Sequence, residues 1–253
     1  MKLSLVGSGP GDAELITLKA LKALNSADVI LYDALANPSL LTYRKADAEV
    51  VFVGKRFGKH SVSQDEINRI IVYNALEGKH VVRLKGGDPV IFGRAFEEIE
   101  YVESFGIATE IIPGISSCVA VPSLNRIPVT KRGVADSFWV LTGHTKEGTL
   151  PKDMALAAQS SATIIILMGL HKIEEIMALF AKHGKENTPV AVIQNGSRPD
   201  EKMVLGEVNT IEKKISDQGI TSPAVIVIGE TVKSCPQYLA EYLESNSLTE
   251  SEC

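Results

Sequence analysis

Short aliphatic runs alternate with amphipathic stretches along the first 112 residues. Leu3–Val6, Val29–Tyr32, Val50–Val53, Val81–Leu84 and Thr109–Ile112 are rich in aliphatic and β-branched side chains, the mark of short strands. Between them Leu15, Leu18, Leu21 and Leu24 recur at helical spacing. Ile67, Ile70, Ile71 and Asn74 do the same behind the start signal Ser63-Gln64-Asp65. Strands separated by helices predict a mostly parallel sheet within an α/β layer.

After Pro113-Gly114 the rhythm changes. Ser137–Thr142, Thr163–Met168, Val190–Gln194, Met203–Glu207 and Val225–Gly229 read as strands, with helical segments around Leu170–Lys182 and Thr210–Gln218. Asn195-Gly196, followed by Ser197-Arg198-Pro199-Asp200, is a turn between two strands. The expected fold class is therefore α/β in two domains, residues 1–112 and 113–253. The second is expected to carry a sheet of mixed strand direction. The Ser/Glu-rich tail from Glu244 is expected to fray.

Composition narrows the classes. A net charge of −5 over 253 residues lacks the basic footprint of a nucleic-acid binder. Cys118, Cys235 and Cys253 form no CxxC and no disulfide framework, which suits a reducing, cytoplasmic setting. Gly7 interrupts the first apolar run, so no signal peptide is expected. The longest apolar stretch, Ala162–Leu170, is far short of the ~20 residues that cross a bilayer. Charge is uneven: the first 132 residues carry +1 and the remainder −6. That asymmetry fits either composition scatter or a first half that faces an anionic ligand.

The opening Gly7-Ser8-Gly9-Pro10-Gly11-Asp12 lies between a strand and a helical pattern, where a dinucleotide-binding loop would stand. Two residues oppose that reading. Asp12 takes the place of the last glycine, and Pro10 removes an N–H that phosphate recognition would use. The loop then reads as a tight turn against an uncharged or cationic ligand, or as an ordinary strand-to-helix turn. Val81–Pro89 and Pro113–Ser117 are two more strand ends that run into glycine turns. Three such ends at one sheet edge point to a single small-molecule site.

These segments resemble one known family. GSGPGD, Tyr32-Asp33, Gly54–Asn68 (GKRFGKHSVSQDEIN), Val81–Glu98 (VVRLKGGDPVIFGRAFEE), PGISS at 113–117, IPVTKRGVADSF at 127–138, TGH at 142–144, MGL at 168–170 and SPAVIVIGE at 222–230 together resemble the tetrapyrrole methylases. The likeness covers roughly residues 2–235. The block at 54–68 points to the branch of that family acting on uroporphyrinogen III. The resemblance implies a two-domain fold with the active site in the cleft between the domains, and a homodimer. It implies S-adenosylmethionine as methyl donor, S-adenosylhomocysteine as its product and no metal. It also implies two successive methylations that give precorrin-2, which feeds sirohaem and cobalamin synthesis.

Carried over residue by residue, the resemblance puts Pro10, Gly86, Gly87, Asp88, Ile91, Ser116, Ser117, Met168, Ala191, Gly196 and Ala224 at the cofactor. Asp33 would take a proton from the methylated pyrrole, and Lys55 would donate one. Alone, Asp33 also reads as a turn aspartate before Asn37-Pro38, and Lys55 as a solvated lysine. Arg56, Arg94 and Glu97 are the substrate-contact candidates, with Lys59, His60 and Arg83 adding positive charge for the acetate and propionate groups. Lys131 and Phe96 depart from the residues usual in the family. The chain also lacks the dehydrogenase/chelatase domain of fused sirohaem synthases, so the expected product is precorrin-2.

Three competing readings remain open at this level. One is a methylase of the same fold acting on a later corrin intermediate. The others are a nicotinamide-dependent oxidoreductase and a ligand-binding module without catalysis. His60, His80, His144, His171 and His183 show no metal-ligand spacing.

Overall fold

Each aliphatic run before residue 113 becomes a strand: β1 (Lys2–Gly7), β2 (Val29–Tyr32), β3 (Glu49–Phe52), β4 (His80–Lys85) and β5 (Ala108–Ile112). The structure is a computed structural model describing residues 1–54 and 62–240. The chain divides into two compact units, Met1–Ser117 and Cys118–Cys253.

In the first unit the strands form one parallel sheet in the order β3-β2-β4-β1-β5. Alternation along each strand sends side chains to opposite faces. Leu3, Leu5, Val29, Leu31 and Val81 pack under α2 (Gln64–Leu76) and α3 (Ala95–Glu103). Val6, Ile30, Val82, Leu84 and Ile112 pack against α1 (Leu18–Ser26) on the other face. The chain leaving β1 thus covers one face and the chain leaving β4 covers the other. Adjacent strands whose connections part in this way make a topological switch point, where ligands of open α/β sheets bind.

The helices obey their local signals. Ser63 caps α2, its Oγ accepting from the Glu66 N–H at 3.1 Å. α1 departs from the leucine pattern. Its buried face is Ala20, Ala23 and Leu24, while Leu18 is 78% exposed. Leucines spaced strictly by three drift around a helix of 3.6 residues per turn, so they cannot all face the sheet.

The second unit holds β6 (Phe138–Thr142), β7 (Thr163–Leu167), β8 (Pro189–Gln194), β9 (Lys202–Glu207) and β10 (Ala224–Ile228). Their order is β6-β7-β10-β8-β9, with β6–β7 parallel and the other pairs antiparallel. The expected turn at Asn195–Asp200 joins β8 to β9. One face packs on α5 (Met154–Gln159), α6 (Ile173–Lys182) and α7 (Ile211–Asp217). The other packs on α4 (Ser117–Leu124) through Cys118 and Val121, together with Ile127, Val232 and Cys235. Cys118 and Cys235 are both buried.

Candidate active site

The three strands that end in glycine turns, β4, β1 and β5, are consecutive neighbours in the first sheet. Their turns lock together through backbone. The Ser8 N–H donates to the Lys85 carbonyl at 2.8 Å, and Gly87 and Gly9 each donate to the other's carbonyl, at 2.7 and 3.2 Å. A Cβ on Gly114 would stand 2.3 Å from the Gly87 oxygen, and one on Gly7 would stand 2.5 Å from the Gly114 nitrogen. Only glycine permits this approach. Asp88 ties the same turns: Oδ1 accepts from the Val90 N–H at 2.8 Å and Oδ2 from the Gly114 N–H at 3.1 Å.

Gly87 differs from its neighbours. It adopts φ +65°, and the atoms nearest to a Cβ there are Ser116 Cα and Ser117 N, both at 3.8 Å. A side chain on Gly87 would thus meet Ser116 and Ser117 in ordinary van der Waals contact, without the clash found at Gly7 and Gly114. Ile91 closes the turn after Asp88 and is 40% exposed. Pro10 follows Gly9 and is half-buried. Asp12 does not point to phosphate chemistry. Its Oδ1 accepts from the Glu14 N–H at 2.9 Å and caps the 3₁₀ turn Ala13–Leu15. The turns carry carboxylates and no lysine or arginine, and Pro10 offers no N–H. This lining suits a neutral or cationic ligand and opposes a pyrophosphate.

The segment after β2 joins this edge. The Asn37 side-chain amide donates to the Gly11 carbonyl at 2.7 Å, and a Cβ on Gly86 would meet Leu35 Cβ at 2.5 Å. Asp33 opens the segment. Its Oδ1 accepts from the N–H groups of Leu35 and Ala36 at 3.1 and 3.2 Å. The turn role and an acid–base role are therefore compatible: one oxygen holds the turn. The other, Oδ2, lies 3.5 Å from Arg83 Nη2.

Arg83 corrects an expectation. It does not present charge to a ligand from the surface. Its side chain is 5% exposed, on the α2/α3 side of β4, with Glu98 Oε1 3.4 Å from its Nε. Lys85 Nζ donates to the same Glu98 oxygen at 2.8 Å, and so does Gln64 Nε2 at 3.1 Å. Burial first, and the Arg83 charge second, push the Lys85 ammonium below the ordinary lysine value, against the pull of Glu98. Sequence reasoning singled out neither Lys85 nor Glu98. A signal was present, because two cations in a central parallel strand break the aliphatic run usual there.

Arg94 and Glu97 form an exposed ion pair with each other, Nε to Oε1 at 2.9 Å. Arg94 adopts φ +57° ahead of α3. Lys55, Arg56, Lys59 and His60 lie outside the described residues.

In the second unit, Met168, Gly196 and Ala224 gather at one end of the sheet. Met168 follows β7 at φ +57° and is 47% exposed. Ala224 opens β10 opposite Gln194. Gly196 sits in the turn after β8, where a Cβ would press on the Val121 side chain at 2.5 Å. The Asn195 N–H donates to the Pro223 carbonyl at 3.0 Å and ties that turn to the start of β10. Ala191 stands apart, fully buried within β8 opposite Val227 and Leu205. His144 approaches the Met168 carbonyl through Nδ1 at 3.2 Å and makes an edge contact with His171.

Comparison with known proteins agrees with this architecture. The family profile of the tetrapyrrole (corrin/porphyrin) methylases matches residues 2–212. The chain is 48% identical to a uroporphyrinogen-III C-methyltransferase of Methanocaldococcus jannaschii, covering 91% of this chain and 96% of that one. It also matches siroheme synthases, of whose length it spans about half: 48% of the Actinobacillus pleuropneumoniae serotype 7 protein, at 44% identity and 92% of this chain. Among solved structures, the uroporphyrin-III C-methyltransferase of Thermus thermophilus in complex with S-adenosylhomocysteine is 33% identical, with a TM-score of 0.78 over 92% of this chain and 99% of that one. A cobalt precorrin-4 methyltransferase reaches 0.82 at 30% identity, over 91% and 95%. With the glycine-locked sheet edge in place and the profile spanning most of its length, the chain belongs to the tetrapyrrole methylase family.

Proposed function

We propose that the chain is a uroporphyrinogen-III C-methyltransferase. It transfers methyl groups from S-adenosylmethionine to two pyrrole carbons in succession, giving precorrin-2 and two S-adenosylhomocysteines. The observation that carries this reading is the identity to the M. jannaschii enzyme along nearly the whole of both chains. S-adenosylmethionine supplies an electrophilic methyl group on a cationic sulfur. The turns at Gly86-Gly87-Asp88, Pro10 and Ser116-Ser117 suit it, because they offer close backbone and carboxylates. Ile91, and Met168, Gly196, Ala224 and Ala191 of the second unit, complete the set assigned to the cofactor.

Asp33 is assigned as the proton acceptor. Methylation leaves a cationic pyrrole, which relaxes by losing a proton to a base within hydrogen-bond reach. Because Oδ1 already accepts two backbone N–H groups, Oδ2 is the oxygen that takes the proton. Lys55 is assigned as proton donor, Arg56 and Arg94 as contacts to the substrate carboxylates, and Glu97 as a further substrate contact. Each arginine guanidinium has the fork that matches a carboxylate. Homodimeric assembly and a cytoplasmic location belong to the same reading, as does a place in sirohaem or cobalamin formation.

A second reading, action on a later corrin intermediate, draws on the equally close fold of the cobalt precorrin-4 enzyme. Incubation with uroporphyrinogen III and S-adenosylmethionine decides between them. Product heavier by two methyl groups, with the absorbance of a precorrin-2 chromophore on oxidation, is expected. Unchanged uroporphyrinogen III would overturn the first reading.

A further inference from the structure

Glu98 is fully buried on α3, and β4 presents two cations to it. Four ionisable groups cluster there: Arg83, Lys85, Glu98 and the partly exposed Asp33. A buried cluster of this kind is weak evidence for stability, since well-packed apolar residues of similar volume often do as well or better. Its geometry suggests another purpose. Arg83 stands between two carboxylates, with Nε 3.4 Å from Glu98 and Nη2 3.5 Å from Asp33. Glu98 Oε1 also receives Lys85 and Gln64, so the inner carboxylate is held by α2 and β4 together. Arg83 Nη1 donates to the Leu84 carbonyl at 3.1 Å, which pins the guanidinium further. Among the described residues, Arg83 Nε and Glu98 Oε2 have no hydrogen-bond partner. Charge and packing therefore hold the pair.

We infer that Glu98 is a positioning residue for the reaction: by anchoring Arg83, it fixes the carboxylate of Asp33. Glu98 touches neither substrate nor cofactor, and the inference rests on the assignment of Asp33 as proton acceptor. Misplacement of a reacting group by about 1 Å can cost about a hundredfold in rate, so a partial loosening is expected to cost about tenfold.

Steady-state methyl transfer (kcat and KM), S-adenosylhomocysteine affinity and thermal unfolding are to be measured on four variants. These are Glu98→Gln, Lys85→Met/Glu98→Gln, Asp33→Asn and Asp33→Asn/Glu98→Gln. Glu98→Gln is expected to lower kcat about tenfold, with KM and cofactor affinity within about threefold of the native enzyme. The Lys85→Met/Glu98→Gln variant restores charge balance. It is expected to recover thermal stability and not turnover, and it serves in place of Glu98→Gln if that variant does not fold. In the Asp33→Asn background, Glu98→Gln is expected to change nothing further, because both act on one step.

Recovery of turnover together with stability would show that Glu98 only balances charge, and would overturn the inference. Multiplying losses in the Asp33→Asn/Glu98→Gln variant would overturn it too. Native turnover by Asp33→Asn alone is a different failure: it removes Asp33 as the acceptor, whatever Glu98 does.

Discussion

Asp33 divides its two oxygens between architecture and chemistry. Oδ1 accepts the Leu35 and Ala36 N–H groups, and Oδ2 is left beside Arg83. Asparagine keeps an oxygen for the turn and loses the base. Asp33→Asn is therefore expected to bind S-adenosylhomocysteine as the native protein does and to lose about 10²–10⁴ in turnover. Calorimetric titration beside product formation checks both halves, and loss of both would assign Asp33 to cofactor binding or structure. The glycines separate in the same way. Gly114→Ala puts a Cβ 2.3 Å from the Gly87 oxygen and must spread the turns after β1, β4 and β5. A cost of about 1–3 kcal/mol is expected from overpacking. Gly87→Ala meets nothing closer than 3.8 Å, and only its left-handed backbone opposes it, at about 1 kcal/mol. Chemical unfolding of the two variants should rank them in that order.

Glu110 supplies the clearest pH effect. Hydrogen bonds from Lys19 and then Lys2 lower its carboxyl to about 2. A depressed folded value adds stability that is complete above the ordinary carboxylate range and fades as pH falls toward 2. The site is partly exposed, with 26% of the side chain accessible. After solvent screening, Glu110→Gln is expected to destabilise by about 0.5–1 kcal/mol at pH 7. The two proteins should converge in stability between pH 4.5 and 2. Urea unfolding across that window tests the sign.

At the scale of elements, α3 and β4 carry the buried charges that meet behind the sheet edge, and α2 adds a neutral donor to them. The start of α2 matters because Gln64, its first residue, donates to both Asn68 and Glu98. Ser63→Ala removes the cap on the Glu66 N–H. It is expected to cost about 1 kcal/mol, read as a lowered denaturation midpoint with the same dependence on denaturant. The strands were legible from short aliphatic runs because each is bounded by glycine, proline or charge. The buried face of α1 was not, since leucine spacing alone does not say which side of a helix meets the sheet. Alanines fill that face where helix and sheet come close.

At the scale of the molecule, the proposed cofactor gives a test independent of turnover. A ligand that binds only the folded state stabilises it by about 2.7 kcal/mol at a hundred times its dissociation constant. S-adenosylhomocysteine is expected to raise the melting temperature with increasing concentration, whereas NAD is expected to leave it unchanged. A shift with NAD alone would favour the oxidoreductase reading of the opening loop. Light scattering in solution checks the homodimer. Among the described residues, no helix is long and apolar enough to cross a membrane.

The order of elements, the parallel first sheet and the mixed second sheet could be read from the chain alone. They depend on local periodicity and on turn residues adjacent in sequence. The departure of Gly7–Asp12 from a phosphate loop was equally legible, because Pro10 and Asp12 act through their own backbone and side chain. What only the tertiary structure decided is which groups share a neighbourhood. Strand order brings the turns after β4, β1 and β5 side by side although they are distant in sequence. Strand alternation turns Arg83 and Lys85 inward, and the packing of α3 sets Glu98 against them. A charged residue in sequence carries no label saying whether water or another charge will meet it. That depends on the desolvation its neighbours impose, and those neighbours are fixed only when the sheet closes.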